Sequence, residues 1–324
     1  MVEFEKKLSV VIVTFNHERY IAEAIDSVLM QKVDFSYEIL IGDDGSADRT
    51  PEIVKEYAEQ WDCILPICRD ENIGPNRNAF DMLMRTKGEY IAFLDGDDYW
   101  TDPLKLQTQV DFLDRHREFI GCTHRITIVD EEGRKQKDQF LPWVRFKKRF
   151  TLADFDGVTL PGQASTLVRR NLFVDSDIDM SVIYHTHPMV GDRTSVLIFL
   201  CNGDFGGIDR DMGCYRRYNT PAAGNITSKI YLNNENRIRE EMDLTENLET
   251  IAWNLFHKKT AFDPYKRTLF VSALYQYLQK PNAARKEAVR YAYRHNKNKI
   301  LCIATILPRI CKKVWNRTLG KRGN

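Results

Sequence analysis

Ser9-Val10-Val11-Ile12-Val13 is the segment that most restricts how this chain folds. Four consecutive β-branched apolar residues show no polar alternation. Such a run suits a strand covered on both faces, as in a parallel sheet, and a strand covered on both faces needs helices above and below it. The sequence supplies them. From Glu18 to Met30, apolar residues recur at helical spacing through Ile21, Ala24, Ile25, Val28 and Leu29. Tyr37-Glu38-Ile39-Leu40-Ile41 reads as a second strand. Thr50-Pro51 has the form of an N-cap with proline at N1 and opens a helix to Gln60. Cys63–Ile67 is a third strand, Asn72–Asn76 a loop, Arg77–Thr86 a helix and Tyr90–Leu94 a fourth strand. This alternation predicts an α/β fold, with a mostly parallel central sheet and helices on both faces.

The middle of the chain is less regular. Leu106–Leu113 is expected to be helical, Thr123–Val129 a strand, residues 134–150 a mobile loop and Ala164–Val168 a short strand. Val196–Cys201 is expected to be helical, with a break at Gly206-Gly207. Beyond Glu235 the pattern is helical, interrupted near Pro264 and Pro281. The division expected is a catalytic unit over residues 1–230 and a basic helical extension over 231–324. No basic leader followed by an apolar core opens the chain, and no uncharged apolar run approaches the ~18 residues of a spanning helix. The seven cysteines are scattered without a CxxC, so reduced thiols and a cytoplasmic location are expected.

The chemistry gathers where strands end. Phe93-Leu94 runs into Asp95-Gly96-Asp97-Asp98, three carboxylates spaced by one glycine. Carboxylates repel and are costly to desolvate, so such a cluster asks for a cation. Mg²⁺ or Mn²⁺, held through oxygen ligands and shared with a phosphorylated substrate, is the cation expected. Asp43-Asp44-Gly45-Ser46 ends the second strand, and Thr14-Phe15-Asn16 follows the first. Asp and Gly are also ordinary turn formers. Ligands of open α/β sheets bind beyond the carboxyl ends of strands, so the three turns are expected along one edge.

Taken together, Ser9–Asn16, Ile41–Thr50, Glu71–Gly74, Tyr90–Trp100 and Asp102–Leu106 resemble glycosyltransferase family 2, the nucleotide-sugar transferases of GT-A (Rossmann-like) fold. The likeness is close over about residues 7–115 and looser to about 220. It implies that Val13, Thr14 and Phe15 line the nucleotide base, that Asp44 with Asp43 contacts uracil, and that Asn72 and Arg77 meet the base or diphosphate. It implies ribose or metal contact for Asp95, metal ligation for Asp97, and donor or acceptor contacts for Asp98, Trp100, Gln163 and Arg216. Asp192 matches the place of the general base, with Asp175, Asp177 and Asp179 as competitors; at that place an Asp is also a favourable N-cap. Arg193 departs from the Trp or Glu often found beside that acid. Arg216 in Tyr215-Arg216-Arg217-Tyr218, with Gly224 after it, either neutralises a leaving diphosphate or is one of a solvated pair. His185 and His187 are read as metal ligands or as structural side chains.

The resemblance implies an inverting transfer from a nucleotide-sugar donor, UDP first, to a saccharide or lipid-linked acceptor in cell-surface polysaccharide synthesis. The alternative is a non-catalytic nucleotide-sugar-binding protein. No P-loop and no GxGxxG occurs, which argues against nucleotidyltransferase, phosphatase and NAD-dependent readings. Residues 281–324 carry 12 Lys and Arg against one acid, Glu287, while the whole chain is only +1. This tail suits either an anionic membrane surface, at its inner face, or a helix packed on the catalytic unit. No nucleic-acid recognition motif accompanies the charge.

Overall fold

Four parallel strands align in the order β3-β2-β1-β4: β1 (Lys6–Thr14), β2 (Tyr37–Asp43), β3 (Ile64–Cys68) and β4 (Gly88–Asp95). They come from a computed structural model of the chain that describes residues 4–174, 178–187, 190–218, 236–298 and 300–301. The β-branched run lies inside β1, between β2 and β4. Its side chains alternate between two cores. Leu8, Val10 and Ile12 enter one layer with α1 (Ile21–Leu29), α2 (Thr50–Gln60) and, further along the chain, α4 (Lys105–Arg115). Val11 and Val13 enter the other with α3 (Pro75–Met84). Each such buried side chain contributes about 1.5–3 kcal/mol.

The sheet continues through β5 (Tyr99–Trp100), β6 (Phe119–Val129), β7 (Arg149–Phe150), β8 (Val168–Arg170) and β9 (Asp204–Arg216). β8 runs antiparallel between β4 and β6, β9 lies parallel to β6, and β5 and β7 pair antiparallel with β9. The parallel character expected of the whole sheet therefore belongs to its first half, and the second half is mixed. α5 (Val182–His185) and α6 (Asp192–Asn202) cover this half on the α3 side.

Three local expectations change. The strand expected at Ala164–Val168 is a one-turn 3₁₀ helix, Ala164–Thr166, and pairing starts only at Val168. Gln163 Oε1 accepts from Ser165 N at 2.6 Å, and Thr166 Oγ1 donates to Gln163 O at 2.7 Å. These local bonds displace the ladder. Gly206-Gly207 is not a break but part of β9; a Cβ at Gly207 would collide with Lys147 O, so glycine there permits close approach. Residues 134–150 are irregular yet tied down, by the bridges Val129–Lys135 and Val144–Leu160 and by buried Leu141.

The extension expected beyond residue 230 is helical where described, as α7 (Arg237–Phe256), α8 (Asp263–Gln279) and α9 (Ala283–Arg294). It shares a core with the sheet. Leu244, Leu248, Ala252 and Phe262 join the α6 layer, and Phe262 meets Phe155 edge-on with ring centroids 5.4 Å apart. Arg193 on α6 reaches α7 through two bonds to Glu241, at 2.7 and 3.2 Å, with both side chains under 7% exposed. Tyr265 Oη donates to the same carboxylate at 2.6 Å. Part of the basic tail is spent internally, since His295 meets Glu246 at 2.8 Å and Lys297 meets Glu249 at 3.7 Å. The tail beyond Leu301, with Trp315, and Gly224 lie outside the described residues.

Removing one partner of a buried ion pair leaves an uncompensated charge, at a cost of about 3–5 kcal/mol. Glu241→Ala is therefore expected to lose stability on that scale in urea unfolding. A loss below about 1 kcal/mol would show that Arg193 finds water or another partner.

Candidate functional site

Register alone brings the three turns together. Thr14 is the β1 partner of Asp43 on β2, and Val13 is the partner of Asp95 on β4. The C-terminal edge of the sheet therefore carries Val13, Thr14, Asp43 and Asp95 side by side. Asp44 N donates to Thr14 O at 3.0 Å and Gly96 N to Val13 O at 2.8 Å, which extends the ladder into both acidic turns.

The first turn owes its shape to Asn16, whose φ of 55° lies in the left-handed region that Asn tolerates. Its backbone N–H donates to Ser46 Oγ at 2.8 Å, and its side-chain oxygen accepts from Ala47 N at 2.9 Å. Phe15 is left 41% exposed at the edge. Asp43 and Asp44 are buried. Asp43 accepts from the Ser46 hydroxyl and amide. Asp44 accepts from Ile73 N at 2.9 Å and Gly74 N at 3.1 Å. The pair expected at uracil thus holds the turn and the 72–74 loop in place. Burial pushes both carboxyls up against these bonds. Asn72 and Arg77, at the loop and the first turn of α3, are exposed.

Within the acidic cluster the three carboxylates separate by environment. Asp98 is 1% exposed and accepts from Ser165 Oγ at 2.6 Å, Gln163 Nε2 at 3.1 Å and Arg216 N at 2.8 Å. Gln163 Nε2 also reaches Asp95 Oδ2 at 3.2 Å, and Ser165 Oγ accepts from Asp95 N at 3.1 Å. Asp97 points the other way, 18% exposed, with Tyr218 Oη donating to Oδ2 at 3.0 Å and His17 Nε2 at 3.9 Å. His17 Nδ1 is 3.2 Å from Thr14 Oγ1, which ties the imidazole to the end of β1.

Several of the residues expected at a ligand are buried and bonded within the protein. Arg216 is 2% exposed, and its guanidinium is used by Asp97 O at 2.9 Å, Asp130 O at 3.1 Å, Glu131 O at 3.0 Å and Glu23 at 2.6 Å, over the Tyr20 ring. Four of its five N–H donors are spent inside the protein, and the guanidinium is closed in by the loop. Arg217 is likewise held by Gln136 and Asp138. Trp100 is 2% exposed, donates from Nε1 to Ser165 O at 2.9 Å and is covered by Lys105. Asp98, Trp100, Gln163 and Arg216 were expected at the donor or acceptor; all four are buried and brace the acidic loop.

Asp192 opens α6 from the opposite side. It is open to water yet deep among protein atoms, a combination that fits a cleft wall. Burial pushes its carboxyl up, against the pull of the Arg193 charge. Asp95 is pushed up to about 7, by burial first and then by Asp97, with Gln163 opposing and Asp192 adding to the rise. Asp192 is thus near enough to be felt by Asp95. Asn76 of α3 braces the approach, donating to His187 O at 2.7 Å. His187 accepts from Val190 N at 3.1 Å and His185 lies 3.2 Å from Ser181 Oγ, so both imidazoles serve the local turn. Asp179 accepts from Ser181 N at 3.0 Å; Asp175 and Asp177 lie outside the described residues.

His17 and Asn76 were not singled out from the sequence, and Ser165 and Tyr218 stood there only as members of the Gly162–Ser165 and Tyr215–Tyr218 motifs. His17 directly follows Thr14-Phe15-Asn16 and Tyr218 closes the Tyr-Arg motif, so adjacency was the available signal. Among the described residues, no group of three or more His, Cys, Asp or Glu forms a cage for an ion. Asp95 and Asp97 offer a partial, oxygen-only set, burdened by mutual repulsion, which fits a hard divalent cation completed by a phosphorylated ligand and water.

A family model described as glycosyl transferase family 2 matches residues 9–175. An uncharacterized protein of Mycobacterium tuberculosis is 34% identical over 221 residues, covering 65% of this chain and 59% of that protein. This chain thus spans less than two thirds of that relative's length. A putative glycosyltransferase of Bacillus subtilis, EpsE, is 36% identical over 128 residues, 39% of this chain and 45% of that one. Among solved structures, Staphylococcus aureus TarS 1–349 in complex with UDP-GlcNAc superposes with a TM-score of 0.53 at 18% identity, over 89% of this chain and 90% of that one. That likeness shows a shared fold.

The raised carboxyls set a pH dependence for the metal-free protein. Burial and the Asp97 charge push the Asp95 carboxyl up to about 7 in the folded chain, from 3.8 for a free aspartate. Between those values the unfolded chain binds fewer protons than the folded one, so stability falls as pH rises and levels off above about 7. In EDTA, the melting temperature is expected to drop from pH 5 to pH 7.5, and Asp95→Asn to flatten the slope. An unchanged slope in Asp95→Asn would reassign it to other groups.

Proposed function

The chain belongs to glycosyl transferase family 2, and from that premise we propose that it transfers a sugar, with inversion, from a nucleoside diphosphate donor to a hydroxyl of a saccharide or lipid-linked saccharide. The observation that carries this reading is the convergence of Asp95, Asp97 and Asp192 at the edge where β1, β2 and β4 end.

In this reading the base lies against Phe15 and the 72–74 loop, whose course Asp44 fixes. Val13 and Thr14 form the floor, Asp95 reaches ribose or metal, and Asp97 is the principal metal ligand. The bound Mn²⁺ or Mg²⁺ would offset negative charge on the leaving diphosphate. With Arg216 buried and largely engaged, the exposed Arg77 is the cationic group assigned to that region, and the imidazole of His17 is a further polar group beside Asp97. Asp192 takes the proton of the acceptor hydroxyl as its oxygen attacks the anomeric carbon. A single displacement inverts that carbon. The raised basicity of Asp192 supports its role, since a carboxylate near its usual value is a poor base at neutral pH. UDP sugars are the first donors to try: TarS, whose fold this chain shares, has been crystallised with UDP-GlcNAc and with UDP.

A lipid-linked acceptor and an anionic membrane contact through 281–324 extend the proposal, placed at the cytoplasmic face. Ile300, 82% exposed, starts the apolar part of that segment and supports them. No helix among the described residues is long and apolar enough to cross a membrane.

With Mn²⁺ and UDP-, GDP- and dTDP-sugars screened by thermal shift, Asp97→Ala is expected to lose about 10²-fold or more in transfer. Near-normal rates would remove the metal assignment. Asp192→Asn should bind nucleotide normally and lose about 10²–10⁴-fold in transfer; unchanged turnover would move the base elsewhere. A non-catalytic protein would bind a donor and consume none.

For the membrane contact, the full chain is expected to float with anionic liposomes and a chain ending at Asn298 to stay behind. That cut keeps α9, which packs on α8 through Ala292. Equal flotation of both would dismiss the contact.

A further inference from the structure

Among the described residues, the Asp192 carboxylate is held by local backbone N–H groups. It is the first residue of α6, no side chain caps that helix end, and Oδ1 accepts from the neighbouring Arg193 N, at 2.7 Å. A general base must be aimed, because an error of about 1 Å costs about 10²-fold in rate. The fixing is one residue along. Successive helical residues point about 100° apart, so Asp192 looks into the cleft while Arg193 turns inward. Arg193 ends in a two-bonded, 4%-exposed pair with Glu241 on α7. Glu241 is itself steadied by Tyr265 Oη on α8, at 2.6 Å. On the other side Asn76 bonds His187 O at 2.7 Å, and its side-chain amide packs so closely on Gly191 that a Cβ there would lie 2.8 Å from Oδ1.

Resting on the reading of Asp192 as the base, we propose that Arg193, Glu241 and Tyr265 are positioning residues: the C-terminal helices set where the base stands and keep it free. The second half of that statement is electrostatic. An uncompensated guanidinium beside Asp192 would hold its carboxylate in the ionised, weakly basic form, and Glu241 cancels that charge. The directions agree, for Arg193 pulls the Asp192 carboxyl down and Glu241 pushes it up. Stability alone does not account for such a pair, since a buried ion pair replaced by apolar groups of similar volume is often no less stable.

The test uses the full chain with Mn²⁺ and UDP-GlcNAc, UDP-glucose and UDP-galactose, read as released UDP with and without saccharide acceptors. The double variant Arg193→Met/Glu241→Leu removes both charges together and is expected to fold. Its kcat should fall by about 10-fold or more with the donor KM unchanged. In an Asp192→Asn background the same pair of changes should cost nothing further, because groups acting through one another are not additive. Tyr265→Phe, which removes one hydrogen bond, should lower kcat several-fold at the same KM and covers the case in which the double variant misfolds.

A kcat within about twofold of the parent in both variants would overturn the proposal, as would an undiminished loss in the Asp192→Asn background. Full activity of Asp192→Asn itself would take down the base assignment and this inference together. An inactive Asp192→Asn beside fully active pair variants would take down the inference alone.

Discussion

The acidic loop rests on the burial of one carboxyl group, which burial itself pushes well up. Asp98 is enclosed at 1% exposure, where an ionised carboxylate is unstable unless donors surround it. Three do, from the 3₁₀ turn, from Gln163 and from the end of β9. Meeting that requirement joins β4 to β9 and drives Arg216 under the loop, where its guanidinium fastens Asp97 O, Glu23 and the 130–131 turn. Asp97 is left pointing outward because its neighbour points in. A loop with three acids thus becomes one internal anchor, one outward carboxylate and one, Asp95, between the two.

The back of the molecule follows the same economy of charge. Residues 281–324 hold a large cationic excess, yet His295 and Lys297 meet acids of α7, and Lys266, 1% exposed, lies between Glu246 and Glu249. These helices are an outer layer of the sheet domain, since Phe262 and Leu248 sit in the same core as Val11 and Phe199. Arg193, the residue that departs from the family's usual neighbour of the base, is where that layer grips α6.

Sequence pattern made the first third legible because β1, β2 and β4 are buried on both faces and each helix there has one apolar side. α2 ends at the expected Gln60 and starts one residue earlier than the signal placed it, with Arg49 and not Thr50 as the N-cap, and β1, β2 and β4 cover the expected runs. Legibility failed where side chains outside the local stretch decide. The Ala164–Val168 run has strand composition, and Gln163 curls it into a turn. Gly206-Gly207 has the composition of a break and is kept in β9 by the closeness of Lys147. The same limit governed the site. The positions of Asp95 and Asp97 followed from a strand's end, whereas nothing in Trp100 or Arg216 reveals burial, which depends on Ser165, Glu23 and the 130–131 turn. Residue type identified the chemistry, and tertiary packing decided which members of each motif reach the open edge.

Arg216 is bonded to Glu23 across 193 residues and to Asp98 across 118. Order of synthesis matters for such a bond. The parallel strands β1–β4 have all been made once Asp95 is added, but the loop beyond them gains its last internal partners only after β9 exists. At translation rates of about 5–20 residues per second, that interval is on the order of ten seconds. Until then the acidic turn lacks the Arg216 amide from which the Asp98 carboxyl accepts. The loop is thus completed by a residue made well after its own.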